Sequence, residues 1–97
     1  MAENEAEKPK EPISIYEILA ILVEQLSILS WQKLGLQPDS ATGRIEVDLI
    51  QAKVGIDVTA HLVQQLESQL DDEDRRRLHN LVRDLRINYV QKSQGGS

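Results

Sequence analysis

Three stretches in which aliphatic side chains recur every three or four residues, each opened by a side chain able to cap a helix, confine this 97-residue chain to an all-α fold. In the first, Ile15, Ile18, Leu19, Leu22, Leu26 and Leu29 share one helical face at i, i+3, i+4, i+7 spacing. The second aligns Leu49, Ala52, Ile56, Val63, Leu66 and Leu70, with Leu62 on the flank. Leu78, Leu81, Val82, Leu85 and Tyr89 form a narrower seam in the third. This spacing predicts a three-helix unit over about 14–34, 49–70 and 72–91.

The signals at the helix ends agree with the periodicity. Ser14 and Glu17 have the spacing of a capping box, with Ile13 and Ile18 placed as a hydrophobic staple. Gly35 supplies the left-handed residue that ends the first helix, and Leu36 follows in position for the apolar contact that accompanies such an end. Pro38, Asp39, Ser40, Thr42 and Gly43 then form a connecting loop, with Ile45 to Val47 briefly extended. Asp48, with Gln51 three residues on, caps the second helix. Asp71 caps the third, whose first turn holds Asp72, Glu73 and Asp74 against the positive end of the helix dipole. Gly55 interrupts the second helix and, beside Ala52 and Thr59, predicts a notch where another helix approaches closely.

A chain of this length makes one domain, expected over 13–92, between an acidic disordered tail at 1–12 and a short tail at 93–97. With no Phe, one Trp and two Tyr, its core must be aliphatic. Lacking Cys, the chain has no disulfide or thiol chemistry, which fits a reducing, cytoplasmic setting. The acidic, polar start is unlike a signal peptide, and the longest apolar run, Ile18 to Val23, is far shorter than the ~20 residues that span a bilayer. A net charge of −5 opposes general attraction to nucleic acid or anionic lipid.

No catalytic residue and no cofactor is predicted. His61 and His79 are the two imidazoles, and although Asp57 lies one turn before His61, neither histidine belongs to a metal-binding motif. Arg75, Arg76, Arg77, Arg83 and Arg86 offer a basic stretch, yet three consecutive arginines diverge by about 100° each around a helix. Asp71 to Asp74 also stand at pairing distance from Arg75 to Arg77, so the expected state is a salt-bridged, solvated surface rather than a nucleic-acid site. Asp57 and Arg86, beside the apolar stripes of helices two and three, are expected to form an interhelical ion pair.

The order of these signals resembles a family of short bacterial proteins known as a domain of unknown function, number eighteen forty-four in that series. The residues that carry the resemblance are Leu34-Gly35, Pro38-Asp39, Thr42-Gly43, Asp48-Leu49, Ala52, Ile56-Asp57 and Leu62. Leu70, Asp72-Glu73-Asp74, Leu78, Leu81, Leu85-Arg86 and Tyr89-Val90 continue it without gaps. Asp71, Gly55 and Thr59 depart from the pattern. The resemblance implies a helical bacterial protein and brings no activity, partner or cofactor with it.

Apolar residues exceed what one small core needs. Ile21, Ile28 and Trp31 lie off the main stripe of helix one, and Ile50, Val54 and Val58 form a second line on helix two. These six are the expected interface of a homo-oligomer, most simply a homodimer, or of a protein partner. The sequence thus predicts a non-enzymatic interaction or self-assembly module. The alternative is a nucleic-acid-associated accessory protein acting through the arginines of helix three.

Overall fold

A computed structural model describes residues 11–95, and among them the regular structure is entirely helical. Helix α1 spans Ile15–Lys33, α2 spans Leu49–Leu66 and α3 spans Asp72–Gly95, with a 3-10 turn at Glu67–Gln69 between the last two. The expected tail at 1–12 lies outside the described residues except for Glu11 and Pro12. The expected tail at 93–97 is corrected in part, because α3 continues through Ser93 and Gln94 to Gly95, with the Ser93 hydroxyl donating to the Val90 carbonyl at 3.0 Å.

Each boundary has a local cause. Ser14 Oγ accepts the Tyr16 amide at 3.1 Å, so the first cap engages the second helical amide and not the third, as a capping box would require. At the other end of α1, Gly35 takes φ +83°. Its amide donates to Gln32 O at 2.9 Å and the Leu36 amide to Trp31 O at 3.1 Å, which together close a Schellman motif. A side chain at Gly35 would also lie 2.6 Å from Val47 Cγ2, so conformation and space both require glycine there. Asp48 accepts the Gln51 amide at 3.0 Å and its side-chain amide at 2.9 Å. Asp71 Oδ1 accepts the Asp74 amide at 2.8 Å.

Helix α2 stops at Leu66, four residues short of the expected end. The chain tightens into the 3-10 turn, Leu70 becomes extended, and α3 starts two residues later. Arg75 bridges this turn: its guanidinium donates to Leu70 O at 2.8 Å and, beside the Leu70 amide, to Glu67 O at 3.2 Å while pairing with Asp72 at 2.8 Å. One side chain therefore ties the end of α2 to the first turn of α3.

Helix α1 packs along α2, and α3 packs mainly on α2 while touching α1 at few points. Val23, Val63, Leu66, Leu78 and Val82 form one buried cluster, and Leu34, Ala52, Ile56 and Leu85 form a second. The stripes predicted for α2 and α3 are the ones that face these clusters. On α1 the prediction is corrected: Ile15, Ile18, Leu22 and Leu29 are exposed, and the buried line runs through Val23, Ser27, Ser30 and Leu34. The reason is close approach. Gly55 leaves a notch into which Ser30 fits, and Thr59, fully buried, turns its hydroxyl back onto the Gly55 carbonyl at 2.6 Å. Small residues bring the two helices together, and the strongest apolar stripe of α1 is turned outward.

Candidate functional site

That stripe is the main candidate surface. Ile15, Leu22 and Leu29 are spaced seven apart with Ile18 between them, the repeat of a helix seam that packs against another helix. All four are more than two-fifths exposed. Helix α1 carries only Glu17, Glu24 and Lys33 as charged residues, so it is apolar around most of its circumference, a composition normally found in buried helices.

The seam continues onto α2. Leu26 and Leu29 of α1 and Val54 and Gly55 of α2 line a groove of 260 Å³, and no α3 residue contributes to it. The α1–α2 layer is thus covered by α3 on one face and open on the other. Of the six residues predicted as an interface, Ile21, Ile28, Ile50, Val54 and Val58 are exposed. Trp31 is half-buried against the cluster of Leu34, Ala52, Ile56 and Leu85, where the last turn of α1 is drawn inward to its Schellman end. Periodicity grouped Ile15, Ile18, Leu22 and Leu29 correctly but assigned them to the core. Their signal was visible; its destination was not.

A second surface is a cleft of 750 Å³ between α2 and α3, floored by Ala60, Val63, Val82 and Ile87. Asp57 and Arg86 both line it, yet the predicted ion pair between them is not formed. Asp57 instead accepts Lys53 Nζ at 2.7 Å one turn back on its own helix, a shorter reach than across the cleft. This hydrogen bond, with the carboxylate charge behind it, raises the Lys53 pKa above its ordinary 10.5. At the other end of the cleft Glu67 contacts His79 Nε2, with Arg75 Nε at 3.9 Å. His61 lines the cleft apart from that pair, and among the described residues no group of three His, Cys, Asp or Glu side chains could hold a metal ion.

The basic stretch is divided by these contacts. Arg75 is committed to the α2–α3 junction and Arg77 reaches Asp74 at 3.7 Å, whereas Arg83 and Arg86 face the cleft. No helix among the described residues is long and apolar enough to cross a membrane.

No curated protein and no solved structure matches this chain. The sequence model of one family, described as "Domain of unknown function (DUF1844)", matches residues 16–91 and so takes in all of α2 and nearly all of α1 and α3.

Proposed function

The chain belongs to the DUF1844 family, and we propose that it acts as a non-enzymatic self-assembly module, joining a second copy of itself through the open face of α1 and α2. The observation that carries this reading is the exposed seam of Ile15, Ile18, Leu22 and Leu29. With Ile21, Ile28, Val54 and Val58, also exposed, it leaves two adjacent helices with unburied aliphatic side chains, the surface feature that marks an interaction site.

A second copy is the occupant this chemistry fits. The flanks of the seam, Leu19 and Leu26 on one side and Ile21 and Ile28 on the other, are uncharged, and Lys33, the one charged residue lining the groove, stands 4.0 Å from Asp39, so a partner steered by charge has little to read. A two-fold axis sets identical aliphatic faces against each other, and a face two helices wide on each copy then makes a four-helix layer. For the non-enzymatic part, the support is that Asp57 is held by Lys53 on its own helix and that neither histidine belongs to a catalytic or metal-binding motif.

Sedimentation velocity of the wild type and of Leu22→Glu/Leu29→Glu tests the reading. The wild type is expected to sediment as a dimer and the variant as a helical monomer with a lowered melting temperature. Unchanged sedimentation of the variant would reject this face as the interface.

A further inference from the structure

Gln25 stands one residue from the midpoint of α1, on its outward face, and the aliphatic residues around it repeat in both directions along the helix. Ile21 and Leu22 lie four and three residues before it, Ile28 and Leu29 three and four after it, and all four are exposed. Gln25 is exposed as well, and its side-chain amide has no hydrogen-bond partner among the described residues. Gln32, seven residues on along the same face, differs: it is buried, and its side-chain amide bonds Ser40 at 2.7 and 3.1 Å. Gln25 is thus an unpaired amide set among aliphatic side chains.

We propose that α1 pairs antiparallel with α1 of a second copy about a two-fold axis passing beside Gln25, so that the two Gln25 amides hydrogen-bond to each other. The proposal rests on the self-assembly reading above and fixes its register. Aliphatic residues placed three and four positions to either side of Gln25 are matched by their own reverse, so those before Gln25 in one copy meet those after it in the other. Centring the axis at mid-helix also gives the longest overlap. An amide carries both donors and an acceptor, so two glutamines across a two-fold axis satisfy each other reciprocally. Opposite an aliphatic side chain, each would be buried unpaired. The other face-to-face two-fold lays α1 on α2 of the second copy, and it fits less well. The outward stripe of α2, Gln51, Val54, Val58, His61 and Gln65, is of mixed polarity and would set glutamine and histidine against the aliphatic residues of α1. One polar residue within an apolar helix seam is a device that specifies register at some cost in stability.

The chain has no cysteine, so single cysteines report the axis directly. Mild oxidation of Gln25→Cys is expected to give a disulfide-linked dimer, because side chains beside the axis face each other. Ile15→Cys should stay unlinked, since ten residues from the axis it lies about 30 Å from its counterpart in an antiparallel pair. Charge supplies a second readout. Gln25→Glu and Gln25→Lys, each helical by circular dichroism, should dimerise about tenfold or more weakly than the wild type, and an equimolar mixture of the two should recover a heterodimer. Ready linkage through Ile15→Cys would mean parallel helices and overturn the proposal. No linkage through Gln25→Cys, a mixture that stays monomeric, or charged variants that dimerise as the wild type does would overturn it too. With a dimeric wild type, any of these results leaves self-assembly standing and removes only the Gln25 axis, whereas a monomeric wild type removes both.

Discussion

Ser30 of α1 points its hydroxyl at the Cα of Gly55 on α2, so closely that a β-carbon on Gly55 would overlap Ser30 Oγ while remaining 3.6 Å from Ser30 Cβ. That hydroxyl is buried and has no hydrogen-bond partner. The two helices therefore meet at a point where one hydroxyl is both unsatisfied and in the way.

Gly55→Ala should destabilise the protein by up to about 2 kcal/mol, since an overpacking cost of about 1–3 kcal/mol is offset by a helix-propensity gain near 1 kcal/mol. Ser30→Ala should be neutral or stabilising, because it removes a buried group that makes no bond. In the Ser30→Ala background, Gly55→Ala should become stabilising, as the remaining contact is ordinary van der Waals distance. Urea unfolding of the four proteins measures the coupling, and additive effects would contradict this account of the contact.

Arg75 is expected to matter more than any other arginine on α3. Removing its bond to Leu70 O leaves that carbonyl without its side-chain partner, whereas Glu67 O keeps the Leu70 amide at 3.3 Å, so Arg75→Ala should cost about 1–2 kcal/mol. Arg75→Lys should recover only part of this, since an ammonium lacks the planar fork that spans both carbonyls and Asp72. Arg76→Ala, on a fully exposed side, should be silent. Hydrogen exchange at residues 67–72 should accelerate in the Arg75 variants alone.

The loop after α1 carries a pH dependence. Asp39 accepts the Ala41 and Thr42 amides at 2.8 and 3.1 Å, and these bonds, aided by the charges of Lys33 and Arg44, lower its pKa below the ordinary 3.8. A carboxyl with a lowered folded-state pKa stabilises the fold fully above its unfolded value and loses that contribution as pH falls through the folded one. The stability gap between wild type and Asp39→Asn should thus be constant above about pH 5 and close below 3.8. Lys53 has the opposite sign: its raised pKa gives a contribution present below 10.5 and lost as pH rises beyond the folded value. Urea melts at a series of pH values check both.

The features legible in the sequence are those that local chemistry decides. Asp48, Asp71 and Gly35 act within a few residues of themselves, and each does what its type and position predict. The stripes of α2 and α3 were legible because each has one dominant face. On α1 the periodicity identified which residues lie together, but a helix apolar on most sides does not reveal which side meets its neighbour. Ser30 decided that, at Gly55, with Ser27 buried one turn before it, and small polar residues carry no periodic signal of burial. The Asp57–Arg86 pairing failed for a related reason: the two residues do share a cleft, yet a lysine one turn away satisfies the carboxylate first. The reach of Arg75 to Leu70 O was hidden because it depends on the early end of α2.

The central claim is that the exposed seam of Ile15, Ile18, Leu22 and Leu29 is a contact between two copies of the chain. Light scattering coupled to size exclusion, run on the wild type from one to one hundred times about 1 μM, measures it most directly. The account predicts a mass of twice 11.0 kDa at the upper concentrations, with any dissociation appearing only on dilution. A mass of 11.0 kDa throughout the series would contradict it.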